Sequence, residues 1–286
     1  VQSAPVILDL RDPWALDAWM TFPTALHRAR NHLLMRRSLH TVDGVIANTP
    51  EAAARISETW PRLPRDRIVT IPNGYDEADF EIAGADTRPK STSEIVIVHS
   101  GSLHSGSLYP DRSLRSRIRR SLHSSVGSID RTGRTIKPFL DALALLGARR
   151  ADAAARVRLD LVGLLDDATL RCIREHPRGS QVRTHGYLSH IEAVRSLLEA
   201  DGLLLPLHGA KVNDRSLIVP GKTYEYLAAD KPILGCLPPG DARDLVAKSA
   251  RGHLADPVDP ASIARALEEL IITIDGEGPR ARQVPD

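Results

Sequence analysis

Short apolar runs recur along the chain without the polar alternation of a half-exposed strand. They lie at residues 6–10, 44–47, 68–71, 94–99, 157–162, 181–184, 202–206 and 232–236. Strands of a parallel sheet read this way, because helices cover both faces and leave no polar side. Helical patterns fill the intervals, at residues 25–39, 51–59, 136–148, 191–200, 222–229 and 260–272. This alternation predicts parallel β/α units and an α/β fold. One helix start is clearly marked: Ser189 and Glu192 have the spacing of a capping box ahead of an apolar stretch.

The length of 286 residues suits two domains better than one. Residues 76–92 hold Gly, Pro, Asp and Ser with little periodicity and read as an interdomain linker. Residues 1–75 supply about three strands, roughly half of a nucleotide-fold domain. The chain opens at Val1, with no initiator Met or leader ahead of its first strand, so the first βα units of this domain are expected to be absent. Residues 93–286 supply about five strands with their helices, enough for a doubly wound domain. Residues 102–132 break the rhythm. They are rich in Ser and Arg, carry no hydrophobic period, and repeat the tetrapeptide Ser102-Leu-His-Ser at residues 121–124. Such an insertion is either a solvated, mobile loop or a basic surface for anionic head groups or phosphates.

Bulk composition narrows the function classes. A formal net charge of +2, from 38 basic and 36 acidic residues, argues against a dedicated nucleic-acid binder. The two cysteines, Cys172 and Cys236, stand in no metal or redox spacing, which points to a reducing compartment and small buried side chains. No apolar run approaches the roughly 18 residues that cross a bilayer.

The chemistry concentrates in Val219-Pro-Gly-Lys-Thr-Tyr-Glu-Tyr-Leu-Ala-Ala-Asp-Lys-Pro-Ile-Leu234. A loop with Pro220 and Gly221 leads into a helix, whose first N–H groups attract a phosphate. Lys222 adds a positive charge there, and Glu225 follows one turn later on the same side. A carboxylate so placed can accept two hydrogen bonds from a ribose diol while the lysine meets a diphosphate. The same residues also fit an ordinary surface helix with an i, i+3 ion pair. The loop Pro238-Pro-Gly-Asp241 opens a further helix at the same sheet edge, where open α/β sheets bind ligands.

This stretch resembles the donor-binding signature of family 4 retaining glycosyltransferases, Pro-x-Lys-x-x-Glu-Tyr-x-Ala followed by Lys-Pro-Ile. Asp9-Leu-Arg-Asp-Pro-Trp14, Val42-Asp-Gly-Val-Ile-Ala-Asn-Thr-Pro50, Ile71-Pro-Asn-Gly-Tyr-Asp76, Leu161-Val-Gly163 and His185-Gly-Tyr-Leu-Ser189 resemble further segments of that family in the same order. The resemblance implies two Rossmann-like domains of the GT-B type, the first incomplete. It implies transfer of a sugar from a nucleotide-diphosphate sugar to an acceptor hydroxyl with retention, in polysaccharide or glycolipid synthesis. Glu225 would bind the donor ribose. Lys222 and the backbone of Gly221 and Thr223 would face the diphosphate, and Gly101 would allow its close approach. Arg134 and Lys137 look like the basic pair that neutralises the leaving diphosphate. Tyr187 and Leu188 would flank the base. No cofactor or metal is implied, since fixed cations serve the diphosphate. The partners implied are the nucleotide sugar and a sugar or lipid-linked acceptor bound by the first domain, across a cleft hinged near residues 76–92. The location implied is cytoplasmic, with loose contact to the inner membrane face. The chain departs from the pattern at Leu217, where many members carry a second Glu that contacts the sugar; Asp214 lies nearby at another spacing. A nucleotide-sugar 2-epimerase of the same fold, or a fragment that binds nucleotide sugar without turnover, also fits these features.

Overall fold

In the computed structural model, residues 4–18, 20–84, 93–104, 124–125, 130–209 and 215–277 are described. They build two parallel sheets. In the first, strands β1 (Ile7–Leu10), β3 (Gly44–Ala47) and β4 (Ile68–Thr70) pair in that order. Helices α1 (Ala25–Thr41) and α2 (Pro50–Thr59) pack with them around Leu10, Met35, Leu39, Val45, Ile56 and Trp60. Both helices start on a threonine, Thr24 and Thr49, whose hydroxyl accepts a first-turn N–H, and Pro50 stands in the first turn of α2, where its missing N–H costs nothing.

The second sheet holds six strands. β5 (Ile95–Ser100), β7 (Val157–Val162) and β8 (Val182–Gly186) run to one edge, and β9 (Gly202–Pro206), β10 (Ile233–Cys236) and β11 (Gly252–Ala255) to the other. The order β11-β10-β9-β5-β7-β8 places the fourth strand of this sheet beside its first, so the chain reverses direction of travel between β5 and β9. The expected doubly wound arrangement is present, with one strand more than the apolar runs showed. β11 carries His253 and is only half-buried until Ala255, which hid it from a search for apolar runs.

Side chains alternate across this sheet. Ile95 and Ile97 join a core with Leu140, Leu143, Leu159 and Leu267, whereas Val96 and Val98 join the opposite core with Leu203, Leu205, Tyr226 and Ile233. The first core is closed by α4 (Lys137–Arg149) and α10 (Pro260–Glu277), the second by α7 (His190–Glu199), α8 (Lys222–Ala228) and α9 (Asp241–Lys248). Each fully buried Ile or Leu contributes about 1.5–3 kcal/mol. The capping box at α7 is formed in full by Ser189 and Glu192. Cys172, on α6 (Asp167–Glu175), and Cys236 are buried free thiols.

The region read as a linker is partly helical. Residues Glu77–Gly84 form α3, which lies against α7: Ala83 O accepts from Arg195 Nε at 3.3 Å, and His190 Nε2 stands 2.9 Å from Asp79. Phe80 packs on the second core and meets Tyr75 edge-on at 5.3 Å. An eight-residue helix carries too few turns to show a period. Residues 85–92 lie outside the described residues, as do 105–123 and 126–129 of the Ser/Arg-rich stretch. Ser124–Ser125 form β6, antiparallel to β2 (Thr21–Phe22). No helix among the described residues is long and apolar enough to cross a membrane.

Candidate functional site

The carboxyl ends of β5, β7 and β8 turn on glycines. Gly101 has φ +111° and donates to Val162 O at 2.7 Å; Gly163 has φ +136° and donates to Gly186 O at 2.8 Å. These backbone conformations and the space around them exclude a side chain: a Cβ on Gly163 would lie 3.0 Å from Gly101 O, and one on Gly101 would lie 2.5 Å from Lys222 Nζ. Lys222 therefore reaches from the start of α8 across the end of the first strand. Its helix is fixed to that strand by Tyr226, fully buried, whose hydroxyl accepts from Ser100 N–H at 2.8 Å.

The Lys222 ammonium makes no hydrogen bond or ion pair among the described residues. Burial first, and the Arg134 guanidinium second, push its pKa down to about 8 against the opposing effect of Glu225. Glu225 stands one turn further along α8 on the same side, half-buried, with its carboxylate engaged by no hydrogen bond among the described residues.

Arg134 comes from the other side of the switch. Residues Arg131–Arg134 form a 3-10 turn capped by Asp130, which accepts from Thr132 N–H. Asp130 and Gly209 exchange two backbone hydrogen bonds at 3.0 and 2.7 Å, and Gly133 lies against Leu207, where a Cβ would stand 2.7 Å from the carbonyl oxygen. The turn is thus pinned to the chain just beyond β9. Burial lowers the Arg134 pKa.

Three histidines that sequence reading did not single out surround these cations. His99 is buried on β5, and Leu204 O accepts from its Nδ1 at 2.9 Å, which leaves the lone pair on Nε2. Burial, then Lys222, then Arg134 outside the opposing Leu204 bond, hold its pKa well below the usual value. His208, 2% exposed just past β9, is pushed down to about 4 by burial and by Arg134, Arg131 and His104. Burial and then Arg134 and Arg131 lower His104 as well. The histidines are neutral at pH 7, so the fixed positive charge is that of the lysine and arginines. Their signal in the sequence was position alone: His99 ends the apolar run at residues 94–99, and His208 follows the run at residues 202–206 by two residues.

The remaining sequence candidates divide. Gly101, Arg134, Lys222 and Glu225 come together. Gly221 precedes α8 at the surface, with open space about its Cα. Thr223 does not present its N–H to a ligand: that group donates to Pro220 O at 2.9 Å, and its side chain is fully buried. The formal positive charge at this end of the sheet is that of the Lys222 and Arg134 side chains. Lys137 is turned away: its Nζ is 2.6 Å from Asp141 Oδ2, a partner one turn along its own helix, and Asp141 also meets His176 Nε2 at 3.2 Å. In this structure Arg134 therefore stands with Lys222, while Lys137, its expected partner, is engaged by Asp141. Tyr187, 76% exposed, and Leu188, half-buried, follow the end of edge strand β8. Leu217 is 6% exposed within the apolar core of the first sheet; Asp214 lies outside the described residues. No group of three or more His, Cys, Asp or Glu among the described residues is disposed to hold a metal ion.

A model of the family described as glycosyl transferases group 1 matches residues 123–272, just over half of the chain. The chain belongs to this family. The matched span contains Arg134, Tyr187, Lys222 and Glu225. No curated protein matches by sequence. Among solved structures, the fold resembles Anabaena Alr3699/HepE in complex with UDP and glucose, with a TM-score of 0.53 and 15% identity over 93% of this chain and 62% of that one. It also resembles the UDP-forming alpha,alpha-trehalose-phosphate synthase of Burkholderia vietnamiensis, with a TM-score of 0.58 and 13% identity over 93% and 61%. The corresponding Burkholderia xenovorans enzyme gives 0.57 and 12% over 93% and 60%. The fold is the two-sheet α/β arrangement of these GT-B proteins, and the chain spans no more than 62% of their length.

Proposed function

We propose that this group 1 glycosyltransferase chain binds a nucleotide-diphosphate sugar at the β5–β9 switch and transfers the sugar, with retention, to an acceptor hydroxyl. The observation that carries the reading is the Lys222 ammonium, held over Gly101 beside Arg134 without an ion pair among the described residues, and the Glu225 carboxylate one turn away. Two fixed cations at the strand ends would stabilise charge as it develops on the leaving diphosphate, without reorganisation at the moment of reaction. Glu225 would accept from the ribose diol. Tyr187 and Leu188, beyond β8, would flank the base, and an exposed Tyr187 is free to stack on it. Lys137 would reach a phosphate only by leaving Asp141. Neutral His99 and His208 line the cations without adding charge. The acceptor would bind on the side of the first sheet; a sugar or lipid-linked acceptor in polysaccharide or glycolipid synthesis accords with the family resemblance, as does a cytoplasmic place near the membrane face.

The test is calorimetric titration with UDP, GDP and ADP, repeated on Glu225→Ala. One nucleotide should bind and be weakened about tenfold or more by the loss of two charge-assisted hydrogen bonds. Silence for all three from folded protein ends the reading. One further outcome is binding without transfer. Release of free sugar or product from a nucleotide sugar that binds separates the two.

A further inference from the structure

Residues 215–219 run between the two sheets and are fastened to both. Arg215 Nε is 2.7 Å from Glu51 Oε2, at the start of α2, and its Nη2 is 2.6 Å from Asp244 Oδ2, in the first turn of α9. Ser216 N–H donates to Pro239 O at 2.8 Å, and Gly240 passes so close that a Cβ there would stand 2.6 Å from Ser216 O. Leu217 then enters the core of the first sheet, with its carbonyl accepting from Thr49 Oγ1 at 3.1 Å. Two residues later Val219, 4% exposed, enters the core of the second. Alternate side chains of one extended stretch thus plug into different cores. The start of α2 is held from the same side, since Glu51 N–H donates to Asp241 Oδ2 at 2.8 Å. Asp241 sits in the first turn of α9, so two helix N-termini share its charge.

We infer that this strap is a positioning device for the donor site, in which Arg215 and Leu217 set the place of Lys222 from the first sheet. Only Ile218, Val219, Pro220 and Gly221 separate Leu217 from Lys222. A displacement of α2 pulls on Leu217 and Arg215 and is delivered to the loop that aims the ammonium over Gly101. Occupancy of the first sheet's side would then alter affinity at the second, and the reverse. Arg215 and Leu217 touch no reacting atom in this scheme. The inference rests on the donor-site reading for its binding consequence, but the mechanical link stands on the contacts themselves.

The experiment compares Arg215→Ala and Leu217→Ala with Met35→Ala, a control that opens the same first core from α1. Nucleotide affinity is measured by calorimetry with UDP, GDP and ADP, and amide exchange is followed over residues 217–226. Both strap variants should weaken binding about threefold to tenfold, the range of couplings carried through packed contacts, and should accelerate exchange in that segment. Met35→Ala should lower the melting temperature and leave both readouts unchanged. Arg215 is an exposed bridge, so its variant remains folded even if Leu217→Ala does not. Unchanged affinity and exchange in Arg215→Ala, or equal changes in Met35→Ala, overturn the inference. If the unaltered chain binds no nucleotide, the donor reading falls, and the exchange arm alone decides whether the strap couples the two sheets.

Discussion

Lys222 Nζ occupies the space that a Cβ on Gly101 would approach to 2.5 Å. In sequence β7, β8 and β9 lie between the two residues, yet one exists in its place only because the other has no side chain. Gly101→Ala meets two obstacles, the lysine and a backbone φ of +111°. Such a backbone costs about 1–3 kcal/mol for a residue with a Cβ. The flexible lysine is the part that yields, so the variant should stay folded with a lowered melting temperature. Its nucleotide affinity should fall by about tenfold or more as the ammonium leaves the strand ends. A variant of unchanged affinity would show that the ammonium position is immaterial.

The depressed lysine predicts a pH dependence of binding. Burial holds Lys222 at about 8 in the folded chain, below its ordinary value of 10.5 when unfolded. Its protonated form meets the diphosphate, so affinity should decline as pH rises above about 8, and binding near that pH should take up a proton. Calorimetry in buffers of different ionisation enthalpy measures the uptake. Lys222→Met should weaken binding and abolish the decline; a wild-type affinity flat from pH 7 to 9 would refute the role. Stability should move the opposite way: the folded chain binds fewer protons than the unfolded between the two values, so this group stabilises the fold as pH rises through that window.

The histidines act in acid. His208 falls from 6.5 to about 4 on folding. The unfolded chain therefore takes up a proton first, and the stability contributed by this neutral side chain is complete above pH 6.5 and lost as pH falls towards 4. For one fully buried histidine the loss is of the order of 2–3 kcal/mol, and His99 adds to it in the same direction. Denaturant melts at pH 7, 5.5 and 4.5 should show falling stability, with a shallower slope in His208→Gln. Equal slopes would place the acid sensitivity elsewhere.

Tyr226 ties the site to the sheet through a single hydrogen bond, accepting from Ser100 N–H in a fully buried position. Burial raises its pKa, so the hydroxyl is neutral across the working range. Tyr226→Phe keeps the ring and orphans the N–H at the end of β5, which costs about 1–3 kcal/mol. For a chain of this size that lowers the melting temperature by about 2–12 °C. Since Gly101 follows Ser100, nucleotide affinity should fall as well. A loss of stability with affinity unchanged would mean that the tie supports the sheet alone.

What the sequence disclosed follows from where the information sits. Runs such as residues 94–99 are buried on both faces, so their composition alone announces a strand. β11 lies at the sheet edge with His253 exposed in part, and α3 is too short to show a period; both needed tertiary neighbours to be seen. In the site, Lys222, Glu225 and Gly101 were legible because a loop–helix step and a strand end are local features. His99, His104 and His208 were not, because their surroundings come from three separate stretches that meet only at the switch between β5 and β9. That the Pro220 turn engages the Thr223 N–H, and that Leu217 enters the other core, depend on local turn geometry and on tertiary packing that the sequence does not display.

Lys137 and Arg134 provide the sharpest division within the basic residues. Four residues along its helix Lys137 has Asp141, and the 2.6 Å contact is an exposed i, i+4 pair of the kind worth a few tenths of a kcal/mol. Arg134 is half-buried, close enough to Lys222 and three histidines to shift them, and held by a turn that is bridged to Gly209. Arg134→Ala should therefore weaken nucleotide binding by about tenfold or more, as expected for loss of a partly desolvated charged contact. It should also raise the Lys222 pKa, moving the decline in affinity to higher pH, because the second largest cause of the depression is gone. Lys137→Ala should change affinity by less than about twofold, in keeping with an exposed pair. Titration of both variants with the nucleotide that binds checks the division. If Lys137→Ala weakens binding as much as Arg134→Ala, the lysine leaves Asp141 for the phosphate and the two form the basic pair that the family resemblance implies.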